Sequence, residues 1–297
     1  GELWYNSTAT TFQFQYGATA AAWSTSGNLN TGRKTMAGAG TQTAALGFGG
    51  QLPPAAASAL TETYNGTSWT EVNDLNTARG YLGGAGTQTA ALGFGGSPAT
   101  AITETWNGTN WTEVADLGTA RYRFGSCGAT NTAALTFGGQ PITAITETWN
   151  GSNWTEVNDM NTARRSLAGA GTNTSALAFG GQAPSDSAAT ELWNGTNWTE
   201  VNDLNTARAK LSGTGASNTA ALAFGGNAPD GSKYAQTELW NGTNWSETSD
   251  LNTGRSLLAG AGTNTAALAF GGSPNADAAT EEFNTGVAVG AWSTGGD

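Results

Sequence analysis

Short runs of small apolar residues alternate with short runs in which apolar and polar residues take turns, and the pattern changes every few residues along the whole chain. Between residues 81 and 114 the runs are "YLGGAG" (81–86), a polar "TQT", "AALGFGG" (90–96), a loop, "AITETW" (101–106), "NGTN" and "WTEV" (111–114). Runs of this length and alternation, bounded by turn residues, predict four strands, here lettered a to d in chain order. Asn-Gly accepts positive φ and predicts a type I′ turn between strands c and d. With four residues between them, Trp106 and Trp111 should face each other across that hairpin, a pairing that contributes up to about 1 kcal/mol.

The pattern recurs. An arginine stands at Arg33, Arg79, Arg121, Arg164, Arg208 and Arg255, spaced 42 to 47 residues apart. Each is followed by a glycine pair (Gly49-Gly50, Gly95-Gly96, Gly138-Gly139, Gly180-Gly181, Gly225-Gly226, Gly271-Gly272) and then by a tryptophan: Trp69, Trp111, Trp154, Trp198, Trp245 and Trp292. Four strands in a unit of 40–50 residues is the signature of a propeller blade. The small residues of a and b suit a crowded centre, and the aromatic residues of c and d suit the wider rim.

The Arg…Gly-Gly…Trp/Tyr…Trp order resembles the kelch repeat, the blade type also found in the central domain of galactose oxidase. That resemblance covers nearly the whole chain. It implies an all-β, six-bladed β-propeller of four-stranded blades, with a surplus N-terminal c–d hairpin. The expected division of the single domain, 1–297, is 1–25 for the extra hairpin and 26–72, 73–114, 115–157, 158–201, 202–248 and 249–294 for the blades. A solenoid of stacked β-layers is the competing architecture. In the surplus hairpin, "GELWYN" (1–6) and "AAAWST" (20–25) read as strands c and d with no a and b before them. "AWST" returns at 291–294, which overlays a ring-length period on the blade period. Two arrangements are open: an N-terminal hairpin paired on an edge, or a segment of an array whose surplus hairpin completes a neighbour.

Composition narrows the chemistry. Charged residues make up 11% of the chain, with 11 Lys and Arg against 22 Asp and Glu, a net charge of −11. A sparse, scattered set of cations gives no footprint for nucleic acid or an anionic membrane, and no apolar run approaches a membrane span. "GELWYNSTAT" has neither the basic nor the apolar region of a secretory leader. With one cysteine, Cys127, no internal disulfide forms. Histidine is absent, which removes its acid–base chemistry and the commonest transition-metal ligand.

The carboxylates invite an enzymatic reading. Glu104 and Glu113 sit across one c–d hairpin, and the pair recurs as Glu62/Glu71, Glu147/Glu156, Glu191/Glu200 and Glu238/Glu247. Two carboxylates can serve glycoside hydrolysis, but a pair repeated in almost every blade reads as structural, with the blade arginine as its partner. Asp74, Asp116, Asp159, Asp203 and Asp250 precede the arginines by five residues, without the spacing of a calcium loop. Turn capping and pairing with Arg79, Arg121, Arg164, Arg208 and Arg255 are expected of them. The copper site of galactose oxidase needs histidines and a tyrosine–cysteine crosslink, and no residue here matches it. The expectation is a non-enzyme with no cofactor and no metal site, whose Asn-x-Thr/Ser sequons are by-products of the Asn-Gly turns.

In an a-b-c-d meander the a–b and c–d turns share one face, and the b–c and d–a connections share the other. The first face is nearly uniform ("GTQT", "GTNT", "NGTN"), which suits stacking on another copy. The b–c loops on the second carry the length variation, above all "QAPSDSAA" (182–189) and "NAPDGSKYAQ" (227–236). Variable loops on a rigid frame build binding surfaces. The residues expected to bind a ligand are therefore Asp230, Lys233 and Tyr234, with Gln182 and Asp186 alongside. Propellers with "WNGTNWTEV" lines resemble those of bacteriophage structural and tail-associated proteins, marine phages in particular. That likeness implies a virion or extracellular location and an adhesive or structural role. Other copies, other virion proteins or host glycans are the expected partners, with no nucleic acid and no membrane insertion. A secreted bacterial lectin-like module is the alternative.

Overall fold

In the computed structural model the chain is described except at residues 1, 7–10, 16–20, 275–276 and 287–297, with side chains described from residue 21 onward. The described residues form strands and turns with no helix. Six four-stranded antiparallel sheets stand around a central channel, which makes the protein a six-bladed β-propeller. In the second blade the strands are Gly83–Thr87, Ala90–Phe94, Thr103–Trp106 and Trp111–Val114, in sheet order a-b-c-d. Trp106 lies opposite Trp111 and Glu104 opposite Glu113, the expected register. The c–d turn differs from type I′. Positive φ falls on Gly108 alone, while the Asn107 side-chain oxygen accepts the N–H groups of Thr109 and Asn110 at 2.9 Å. Asparagine caps the turn with its side chain instead of adopting a left-handed backbone.

The sixth blade is where the ends of the ring meet. Strands Ala259–Gly262, Ala266–Phe270 and Thr280–Asn284 are completed by Ala22–Ser26, with Trp23 opposite Phe283. The surplus hairpin is Glu2–Asn6 paired with Thr11–Gln15. The sequence pattern instead paired 1–6 with 20–25 and gave the last blade Trp292, which lies outside the described residues. The reason for the difference is register. Ala22–Ser26 carries a tryptophan at the same position as every other d strand, Trp23, packed on the preceding blade, and it fits the edge that Thr280–Asn284 presents.

Blades are joined by a repeated aromatic contact. Each d-strand tryptophan packs on the b-strand phenylalanine of the preceding blade, with ring centroids 4.8–5.1 Å apart in the pairs Phe48/Trp111, Phe94/Trp154, Phe137/Trp198, Phe179/Trp245, Phe224/Trp23 and Phe270/Trp69. The same indole N–H donates to a strand-c threonine of that blade at 3.0–3.1 Å, as Trp111 does to Thr61 and Trp23 to Thr237. A buried tryptophan thus finds both apolar area and a polar partner.

Inside each blade a fully buried arginine pairs with the strand-c glutamate: Arg33–Glu62, Arg79–Glu104, Arg121–Glu147, Arg164–Glu191, Arg208–Glu238 and Arg255–Glu281, at 2.7–3.0 Å. The second oxygen of that glutamate accepts a backbone N–H from the chain leading to the arginine, at 2.6–2.8 Å. The arginine carbonyl then accepts the second N–H of the preceding blade's glycine pair, as Gly96 does to Arg121 at 3.1 Å. The outer glutamates, such as Glu113, stay exposed. The aspartates do not pair with arginine. The side-chain oxygen of Asp116 accepts the Thr103 N–H at 3.1 Å, and Asp74, Asp159, Asp203 and Asp250 do the same for Thr61, Thr146, Thr190 and Thr237.

Removing one partner of a buried pair strands the other charge, so Arg164→Met should lower stability by about 3–5 kcal/mol, read by urea denaturation. At the closing seam, the phenol of Tyr64 donates to Glu282 at 2.6 Å and Ser26 donates to the same oxygen at 3.0 Å. Burial foremost, and then the Glu282 bond, pushes the Tyr64 pKa up to about 12 from its ordinary 10.0. A raised phenol pKa stabilises the fold fully below the unfolded value and loses that contribution as pH rises from about 10 to about 12. Tyr64→Phe should flatten the fall in melting temperature across this window and cost about 1–3 kcal/mol at neutral pH.

Candidate functional site

Each arginine opens a short sequence that turns the chain into strand a: "RKTM", "RGYL", "RYRF", "RRSL", "RAKL" and "RSLL". The second residue of each forms a bridge to the residue after the blade's glycine pair, as Tyr122 does with Gln140 and Arg165 with Gln182. The fourth is a buried apolar anchor in Met36, Leu82, Phe124, Leu167, Leu211 and Leu258. The third residues, Thr35, Tyr81, Arg123, Ser166, Lys210 and Leu257, form the rim of the channel.

These six residues are linked in a closed circle of backbone hydrogen bonds. The N–H of Tyr81 donates to the Thr35 carbonyl, Arg123 to Tyr81, Ser166 to Arg123, Lys210 to Ser166, Leu257 to Lys210 and Thr35 to Leu257, at 2.6–3.2 Å. Making that circle requires a left-handed backbone at every member, with φ between 55 and 59°. All other described residues with φ in this region are glycine. A side chain held there costs of order 1–3 kcal/mol, and the chain has 44 glycines elsewhere. The rim therefore keeps side chains against a backbone preference that glycine would satisfy. Otherwise similar repeats diverge there, as they do at the position before it: the rim carries a threonine, a tyrosine, an arginine, a serine, a lysine and a leucine.

From the rim inward the channel is walled by the small residues of the a strands; its rim-side part holds about 230 Å³, and a further part at the opposite end about 210 Å³. Cys127 borders it, but its thiol is buried and its pKa is raised by that burial, so it is an inert packing residue. Among the described residues no group of three or more Cys, Asp or Glu side chains is placed to hold a metal ion.

The six buried arginines are neutralised in their pairs, the only ion pairs among the described residues. The remaining cations, Lys34, Arg123, Arg165, Lys210 and Lys233, all lie in d–a or b–c connections on the rim face. The strand-capping aspartates occupy its outer margin. Arg123 lies over the Tyr81 ring at 4.4 Å, donates to the Tyr81 hydroxyl at 3.2 Å, and has a buried Nε without a partner. Arg165 is engaged, donating to Gln182 at 3.0 Å and to Gln140 at 2.5 Å. Lys210 has its pKa lowered by burial first, then by the like charges of Arg123 and Lys233, with Asp186 opposing.

The residues expected from the sequence divide. Asp186 and Lys233 lie within electrostatic reach of Lys210, and partial burial raises the Asp186 pKa while Lys210 draws it down. Gln182 orients Arg165. Asp230 is exposed, its carboxylate turned to the Ser232 N–H and hydroxyl at 2.9 and 2.7 Å, which lower its pKa. Tyr234 is anchored by its backbone to Gly226 and Arg255, and its phenol lies within electrostatic reach of the buried Arg208. The structure thus brings the 182–189 and 227–236 loops beside the rim. The rim residues themselves, which sequence reasoning missed, were marked by a loss of repeat identity at the two positions after each arginine. The uniform face has an internal cause: the Gln88 amide in one a–b turn donates to the Ala45 and Tyr64 carbonyls of the preceding blade, and Gln42 to Ala267 and Phe283.

No family model and no curated protein matches this chain. Thr35 has a left-handed backbone and a buried hydroxyl without a partner. Thr35→Gly should therefore raise stability by about 1 kcal/mol, read as a higher midpoint of chemical denaturation.

Proposed function

We propose that this chain is a non-enzymatic adhesive or structural module of a virion surface or tail, built of kelch-type blades, whose b–c/d–a face binds host-surface glycans. The observation that carries this reading is the confinement of variation to one face. The rim residues, the length-variable loops and every cation outside the buried pairs lie there, on a frame whose other positions repeat closely. Other copies and other virion proteins are the partners expected at the remaining surfaces. A secreted lectin-like propeller is the second reading, favoured by closure of the ring within one chain, which leaves no blade short of a strand.

The test is a glycan array probed with multivalently displayed protein. Saturable binding that disappears when 227–236 is replaced by a short Gly/Ser loop supports the adhesive role. Absence of binding to every glycan by an intact ring would assign the module to assembly or spacing instead.

A further inference from the structure

One arc of the rim, four of its six residues, differs in character from the rest. Going round the circle, Tyr81, Arg123, Ser166 and Lys210 are consecutive, and Leu257 and Thr35 complete it. Arg123 and Lys210 thus flank Ser166, and neither has an acidic side chain in ion-pair contact. Both are partly withdrawn from water. Two cations brought together in this way repel each other, and burial raises the cost. A fold that needed only packing here would place neutral residues at these positions, as it does at Thr35, Ser166 and Leu257. Tyr81 adds a rigid ring that holds the Arg123 guanidinium in place through its face and hydroxyl.

We propose that the channel mouth binds one oxyanion group, a carboxylate, sulfate or phosphate ester, on an otherwise neutral ligand, held between Arg123 and Lys210 at Ser166. This rests on the reading of the protein as a binding module. An oxyanion there accepts charge-assisted hydrogen bonds from the guanidinium and ammonium and removes their mutual repulsion. The acidic surroundings limit the ligand to a single charge. With a net charge of −11 and aspartates on the outer margin, a polyanion meets repulsion over most of the face, whereas an isolated group at the centre meets two cations and one nearby carboxylate, Asp186 beside Lys210. Space sets the second limit. The rim-side pocket of the channel, about 230 Å³, is smaller than the roughly 300–1,000 Å³ of pockets that enclose a drug-sized ligand. It receives a terminal group, and the rest of the ligand lies across the neighbouring 182–189 and 227–236 loops.

The experiment is an NMR titration of the isotope-labelled protein with inorganic sulfate, sialyllactose, neutral lactose and heparin. The amides of residues 81, 123, 166 and 210 are followed, and the same titrations are run on Arg123→Gln, Lys210→Gln and, as a same-face control, Lys34→Gln. Saturable shifts at these amides with sialyllactose and not with lactose are expected. Loss of one charge-assisted bond should weaken binding by about tenfold or more in either rim variant and leave Lys34→Gln unchanged. Shifts with sulfate as well assign recognition to the oxyanion alone, and shifts with sialyllactose only assign it to the anion together with its sugar. Lactose binding as tightly as sialyllactose, heparin binding most tightly in a manner unaffected by the rim variants, or no rim shifts with any probe would overturn the proposal. The outcomes separate from the adhesive reading, because glycan-array binding that survives Arg123→Gln and Lys210→Gln refutes the oxyanion site while leaving the module an adhesin. The amide spectrum of each variant reports whether its ring is intact, and Arg123→Lys, which keeps the charge, should retain part of the binding.

Discussion

Every blade is organised around one buried ion pair. An arginine and a glutamate removed from water are tolerable only when their remaining hydrogen-bonding capacity is used, and a pair left half-satisfied is worse than an apolar substitute. Here the blade's own geometry supplies most of those partners, the exception being the arginine Nε, which is buried without a partner in five of the six blades. The glutamate's second oxygen holds the incoming chain, and the arginine's carbonyl holds the glycine pair of the blade before it. Satisfying the pair therefore fixes the end of strand b, the start of strand c, the approach to strand a and the join between blades. The aromatic contacts at larger radius add apolar area to an arrangement that the ion pair has already oriented.

That same clamp delivers the rim. The chain leaves the arginine with its direction set, and a buried apolar anchor follows three residues later, so the intervening backbone has little choice but the left-handed turn that closes the circle. Structural necessity thus ends one atom short of the channel: the backbone is dictated and the side chain is not. Placing Tyr81, Arg123 and Lys210 on consecutive or near-consecutive blades is where the sequence exercises that freedom.

The architecture was legible because its causes are local and repeated. Alternation, Asn-Gly turns and the Arg…Gly-Gly…Trp spacing carry the strands, and the c–d pairing of Trp106 with Trp111 follows from loop length alone. What was not legible depends on closure in space. Nothing in the run "AAAWST" distinguishes a partner in its own hairpin from one at the other side of the ring, because both edges present the same alternation. The aspartates were misassigned to arginine because sequence proximity suggested it, whereas the nearer unsatisfied group was the Thr103-type N–H. The 227–236 loop drew attention by length and charge. The rim, marked only by a change of residue type within a conserved spacing, was quieter, although two of the five expected residues, Asp186 and Lys233, lie within electrostatic reach of Lys210.

A ring of near-identical repeats faces an ambiguity during folding: any outer strand matches the edge of any blade, so mispaired rings compete with the correct one. The seam carries an answer. Tyr64 stands where other blades have tryptophan or phenylalanine, Glu282 where they have threonine or leucine, and Ser26 where they have valine in most d strands, and the three side chains bond to one another. Closing with another blade's outer strand would deprive the half-buried Glu282 carboxylate of the Ser26 hydroxyl. The trio acts as an address label, making the first and last strands partners of choice within a set of otherwise interchangeable parts.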